Sequence, residues 1–147
     1  MNDYRPLTSE EIEVLKQNNC WAEDWTSVNV GENFTPNFMH RVMLYGEVNI
    51  GGFDKNVEVS QGFVKHSGIN NATLRNVTIG DDCLIENIGN FINNYTIGDD
   101  CYISNISTLE TTEGATYGEG NLVSVLNEVG EGNVILFSDL NSQLAAF

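Results

Sequence analysis

The chain has 147 residues, enough for one domain with a real core, and 41% of them are apolar, with 14 glycines among the remainder. Its 21 acidic residues face only six basic ones, for a formal net charge of −15. Such a surface repels phosphate backbones and anionic lipid, which argues against nucleic-acid and membrane partners. No apolar run approaches the ~20 residues of a membrane-spanning helix. The polar start MNDYRP is no signal peptide, so a cytoplasmic location is expected.

In chain order, the first predicted element is a helix. Thr8-Ser9-Glu10-Glu11 reads as a capping box, with Thr8 as N-cap and Glu11 reaching back to it. A short helix over roughly Ser9 to Gln17 follows, with Ile12 and Leu15 on one face, and Asn18-Asn19 ends it. Together with Trp21 and Trp25, this stretch (residues 1–27) is expected to cap the open end of a repetitive core. Stacking of the tryptophans on a sugar or base is the rival reading.

Residues 28–75 carry short alternating runs, Val28/Val30, Val42/Leu44, Val48/Ile50 and Val57/Val59, punctuated by Gly46, Gly51 and Gly52. They predict irregular coils or a β-hairpin. Ile69 and Leu74 are five apart, so a distorted coil or small loop must absorb the slip near Phe63–Leu74.

Residues 76–112 are the regular part. NVTIGDDCLIEN at Asn76–Asn87 returns as NYTIGDDCYISN at Asn94–Asn105, identical at nine of twelve positions. The copies repeat with an 18-residue period, which is three hexads and the signature of a parallel β-helix whose turns stack. Stepping by six from Ile79 gives Ile85, Phe91, Ile97, Ile103 and Leu109 as large inward residues. Two positions earlier, Val77, Cys83, Gly89, Tyr95, Cys101 and Ser107 form a mostly smaller inward set, with Gly89 compensating for Phe91. Gly80-Asp81-Asp82 and Gly98-Asp99-Asp100 predict the corners, and the repeating Asn76, Asn87, Asn94 and Asn105 predict stacked ladders.

Residues 113–147 open with a Gly-rich loop, Gly114 to Asn121. Strands over Leu122–Leu126 and Val134–Phe137 are expected around the polar turn Asn127–Asn133. A short helix is then expected through Leu140 and Leu144. The apolar end Leu144-Ala145-Ala146-Phe147 needs burial against the last coil or another subunit.

The pattern resembles the left-handed parallel β-helix of hexapeptide-repeat proteins, whose best-known members are acyltransferases. The fold class expected is therefore all-β, a left-handed parallel β-helix with a short N-terminal capping helix; the handedness is implied by the resemblance alone. The phrases YRPLTSEEIEVL, CWAEDWTSV, VKHSGINNATLRNVTIGDD and VSVLNEVGEG also resemble the N-terminal part of a longer, uncharacterised bacterial hexapeptide-repeat family. The first resemblance implies acyl transfer from acetyl-CoA or another acyl-CoA to a sugar or amine, and a homo-oligomer, typically a trimer. It also implies a histidine as general base, and His66, beside Lys65 and Ser67, is the candidate catalytic residue.

Against this stand the few basic residues and the lack of a phosphate loop of the GxxxxGK type, because coenzyme A carries several phosphates. The rival is a non-catalytic β-helix scaffold or oligomerisation domain, a fragment of something larger. A third reading is a small acidic ligand-binding domain using Trp21, Trp25 and Tyr102. No metal site is expected: His40 and His66 are the two histidines, and Cys20, Cys83 and Cys101 form no CxxC cluster. Cys83 and Cys101, 18 apart, are read as packed inward thiols. The stacked carboxylates Asp81, Asp82, Asp99 and Asp100 are read as a hydrated corner rather than a calcium site. Five Asn-x-Ser/Thr sequons, two of them by-products of the repeat, carry no weight without a secretion signal.

Overall fold

The computed structural model describes residues 3–112, 114–115, 122–127 and 130–135, the last two stretches as backbone only. The chain is predominantly β. Two compact units, Met1–Thr111 and Thr112–Phe147, divide it.

The first unit begins with strand β1 (Arg5–Pro6) and helix α1 (Ser9–Gln17). The capping box is complete: Thr8 accepts from the Glu11 amide, and the Glu11 carboxylate accepts from the Thr8 amide at 2.9 Å. Arg5 closes the same corner with a bidentate pair to Glu11 at 2.9 and 2.7 Å. Leu15, on the inner face of the helix, is fully buried. Asn19, at φ 59, turns the chain out of the helix.

Then come β2 (Trp21–Ala22), β3 (Val28–Val30) and the long strand β4 (Met39–Ile50). A hairpin, β5 (Asn56–Ser60) with β6 (Phe63–His66), leads to β7 (Gly68–Ile79). The repeat supplies β8 (Leu84–Glu86), β9 (Phe91–Ile97), β10 (Tyr102–Ser104) and β11 (Thr108–Glu110). The principal sheet runs β1-β3-β4-β7-β8-β10, with β2 beside β4, β9 beside β7 and β11 beside β9. It is mixed: β1 pairs antiparallel with β3, whereas the other pairings within it are parallel.

Register reveals how far the repeat extends. Leu74 lies beside Ile92, and Leu84 beside Tyr102, both on the period of the repeat. Phe91 lies beside Thr108 and Gly68 beside Leu84, one and two positions short of it. Further back, Trp21 pairs with Met43 and Val28 with Val48, both beyond it. The longest step takes Met39 to Ile69. That step spans the β5–β6 hairpin, whereas the five-residue step from Ile69 to Leu74 falls at left-handed Asn71 within β7 and is matched by Met39 to Leu44, with left-handed Arg41, in β4. The regular schedule therefore governs only the later pairings, and most strands are short. The strict left-handed hexapeptide helix expected from the sequence gives way to a mixed sheet of irregular step.

Inside this sheet lie Val30, Met39, Val42, Val48, Ile50, Ile69, Leu74, Ile79, Ile85 and Ile92, all fully buried. The inward reading of Phe91 is corrected. Phe91 is exposed, while Ile92 is fully buried and Ile88 buried in place of Gly89. Ile85 to Ile92 is a step of seven and Ile92 to Ile97 one of five, so the hexad slips by one and recovers. The recovery falls at Asn94, whose φ of 52 turns the backbone within β9. Burying two branched aliphatics there displaces the paired phenylalanine and glycine.

The corners follow the expected residues for a refined reason. Asp82, Asp100, Asn71, Asn76, Asn87, Asn94 and Asn105 all hold left-handed φ between 52 and 58, the conformation that Asn and Asp tolerate best among residues with a Cβ. Gly80 and Gly51 serve close approach instead: a Cβ on Gly51 would lie 2.5 Å from the Gly80 carbonyl. Of the asparagines, Asn87 accepts from Asn71 at 3.3 Å, and Asn76 accepts from the Glu47 amide at 3.1 Å.

In the second unit, β12 (Leu122–Asn127) and β13 (Gly130–Ile135) form an antiparallel pair, with Leu122 opposite Ile135. Strand β12 covers the expected Leu122–Leu126, whereas β13 takes in residues 130–133, expected as turn, and meets the expected Val134–Phe137 only at Val134–Ile135; residues 136 and 137 lie outside the described residues. The expected C-terminal helix and the Leu144–Phe147 end lie outside the described residues.

Candidate functional site

His66 ends β6. Its ring stacks on Phe38, centroids 3.7 Å apart and planes 13° from parallel. Its Nδ1–H donates to the Ser67 carbonyl at 2.9 Å, which leaves the lone pair of the neutral ring on Nε2. Beside it, the ammonium of Lys65 is paired with Glu86, a carboxylate only 6% exposed. Ser67 is fully buried, and its Oγ has no hydrogen-bond partner. The candidate base, the adjacent cation and the adjacent hydroxyl are thus near one another, yet the first two are engaged within the chain. His40 is exposed on β4, its strand partner being Asn70. Among the described residues, no cluster of three or more His, Cys, Asp or Glu is placed to hold a metal ion.

The aspartate corner is built into the backbone. Asp99 accepts from the Asp81 amide at 2.8 Å, and Asp81 in turn accepts from the Gly52 amide at 2.8 Å. Asp82 accepts from the amides of Asp54 and Lys55 at 2.7 and 3.0 Å. Lys55 bridges Asp82 and Asp100 at 3.2 and 3.3 Å. Burial would raise the Asp82 carboxyl, but the two amides and the Lys55 ammonium outweigh it and hold Asp82 below the usual carboxylate range. This corner is therefore a hydrogen-bonded tie between neighbouring turns, with Asp82 buried and Asp99 and Asp100 exposed. Cys83 and Cys101 are free thiols; burial pushes Cys83 up to about 11, and its Sγ–H points to the Gly98 carbonyl at 3.0 Å.

A second place was not singled out in the sequence. Parallel register sets two outward rows across the sheet. One carries Trp21, Met43 and Thr73, with Phe91 and Thr108 continuing it; the other carries Tyr45, Arg75, Asn93 and Glu110. Trp21, Met43 and Phe91 are exposed, Trp21 by 47%, so Trp21 does not serve as a core cap, whereas Trp25 packs on the core. Trp21 instead leans on Tyr45, with centroids 5.3 Å apart.

Between the rows lies a cleft of about 400 Å³ lined by Tyr45, Thr73, Arg75, Phe91, Asn93 and Glu110. Arg75 donates to Asn93 Oδ1 at 3.4 Å, and Asn93 Nδ2 donates to Glu110 at 2.7 Å. The hexad count hid this site, since it placed Phe91 inside. Outward alternation of Tyr45, Thr73 and Arg75 was legible, but which strands lie side by side was not.

Among the described residues, no helix is long and apolar enough to cross a membrane. No solved structure matches the chain. An uncharacterised protein of Treponema pallidum (strain Nichols) is 28% identical over 117 residues, which are 80% of this chain but 16% of that protein. The chain thus spans about a sixth of the length of this relative. The expected kinship with the hexapeptide-repeat acyltransferase-like superfamily is overturned: a different family model covers residues 4–147, and the mixed sheet of short strands with unequal steps departs from that superfamily's regular coil. The chain belongs to the family defined by DUF4954, a domain of unknown function.

Proposed function

We propose that this chain is a non-catalytic β-scaffold, one segment of a longer protein, wound from parallel strands that in its later part return on the period of the repeat. The observation that carries this reading is the use of chemistry-bearing side chains by the fold itself. The His66 ring is stacked and bonded through Nδ1, Lys65 is spent on Glu86, and Lys55 on the aspartate corner. Beside His66, a coenzyme A phosphate would have to draw Lys65 out of its ion pair. Support for the larger context comes from the Treponema relative, of which this chain matches a sixth.

The competing reading is acyl transfer with His66 as base, its Nε2 being the nitrogen left with a lone pair. Calorimetric titration with acetyl-CoA separates the two. The scaffold reading expects no heat with either the wild-type protein or His66→Ala. Micromolar binding that is lost in His66→Ala, on protein of unchanged melting temperature, overturns it. Sedimentation of the same samples reads whether the chain forms the homo-oligomer expected of a scaffold.

A further inference from the structure

We propose that the outer cleft between Tyr45 and Phe91 is a binding site for a neutral oligosaccharide. Its walls are aromatic. Phe91 stands exposed on one side and Tyr45 on the other, with Trp21 continuing the wall beyond Tyr45 at 5.3 Å. Aromatic faces of this kind take up the C–H face of a sugar ring, which is apolar, while leaving its hydroxyls free at the edge.

The floor supplies partners for those hydroxyls. Arg75, Asn93 and Glu110 are joined in a chain of hydrogen bonds, 3.4 Å from Arg75 to Asn93 and 2.7 Å from Asn93 to Glu110. Asn93 is only 6% exposed and anchors the centre of this floor, while Arg75 and Glu110 at its two ends are exposed. Arg75 offers N–H donors and no acceptor, and Glu110 offers acceptors and no donor. A hydroxyl group can satisfy either end; a purely anionic or cationic ligand can satisfy only one.

Size narrows the class further. Arg75, Asn93 and Glu110 occupy successive strands, and their side chains converge on the Asn93 amide, so donor and acceptor lie side by side along the floor. A cleft of about 400 Å³ has the size usual for small-ligand sites. The net charge of −15 disfavours acidic sugars, nucleotides and sulfated glycans. Thr73 matters because it is small: it leaves the dip that Met43 and Phe91 flank in the same row.

The test uses the full chain and an array of neutral di- to tetrasaccharides, followed by titration of the best binder with tryptophan fluorescence as a second readout, Trp21 being part of the wall. Binding is expected, weakened at least tenfold in Phe91→Ala and in Glu110→Gln. Both positions are exposed, so both variants should keep the wild-type melting temperature. Failure of every neutral sugar to bind overturns the proposal, as does binding that neither substitution weakens. Self-association through this face, abolished by Phe91→Ala and indifferent to added sugar, also overturns it and assigns the cleft to a second copy of the chain.

Discussion

Asp82→Ala removes the side chain that ties two coils together at the aspartate corner. Asp82 is 7% exposed and accepts two amides, from Asp54 and Lys55, in a residue whose φ is 58. Each orphaned donor costs ~1–3 kcal/mol, and the lower end applies because Asp54 and Lys55 are themselves exposed. Alanine at a left-handed φ adds ~1–2 kcal/mol. The sum is about 3–4 kcal/mol, on the order of 10 °C in melting temperature for a chain of this length. Asp82→Asn keeps an acceptor oxygen and a side chain suited to left-handed backbone, so it should lose only about 1 kcal/mol.

Urea denaturation of the three proteins at pH 7 gives the ranking directly. The acid limb separates charge from geometry. The Asp82 carboxyl is held below its ordinary value of 3.8, so its ionic contribution is complete above that value and is lost as pH falls through the lower folded value. The gap between wild type and Asp82→Asn should therefore be full at pH 7 and close at pH values below 3.8. A loss under about 1 kcal/mol in Asp82→Ala would refute the reasoning, as would a gap to Asp82→Asn that is insensitive to pH.

Gly51→Ala should cost about 1–3 kcal/mol in the same denaturation assay, because the new Cβ meets the Gly80 carbonyl at 2.5 Å. Gly98→Ala, with nothing within 4 Å and no left-handed φ, should change stability by less than ~0.5 kcal/mol. Ile85→Ala should lose about 2–5 kcal/mol, since Ile85 is fully buried at the centre of the repeat. The Cys83 thiol, raised to about 11 chiefly by burial, should resist iodoacetamide at pH 8 in the native protein and react on unfolding, as read by mass spectrometry.

Local signals in the sequence carried well. The Thr8/Glu11 capping box, the Asn18-Asn19 helix stop and the corner role of Asp82 and Asp100 are each decided within a few residues, where backbone geometry admits few side chains. Periodicity carried less well. The hexad count assumes equal steps, yet the step from Ile85 to Ile92 is seven residues, which leaves Phe91 outward before left-handed Asn94 restores the schedule. The long step from Met39 to Ile69 depends on a hairpin, which the alternating runs of residues 28–75 left open beside irregular coils. For the same reason the outer cleft was invisible: Tyr45, Arg75, Asn93 and Glu110 are far apart in the chain and meet only through strand register. His66 stood out because histidines are few here; its stacking on Phe38 depends on the hairpin bringing β6 back to the sheet.

The β5–β6 hairpin also governs how such a chain can acquire its structure in time. The later pairings, such as Gly68 with Leu84 and Leu74 with Ile92, join positions close in the chain. Each strand there finds its neighbour by closing a short loop, and growth can proceed stepwise from one rung to the next. Between β4 and β7 the loop is longer, from Met39 to Ile69 and from Val48 to Val77. Loop-closure entropy grows only logarithmically, so the added cost of this step over a regular one is about 0.5 kcal/mol by the (3/2)RT ln n rule. Formation of the hairpin first, by its own antiparallel pairing, shortens the effective loop and offsets that cost. The segment that breaks the repeat is therefore a self-zipping clip: growth can pass from the early rungs to the late ones without a pause.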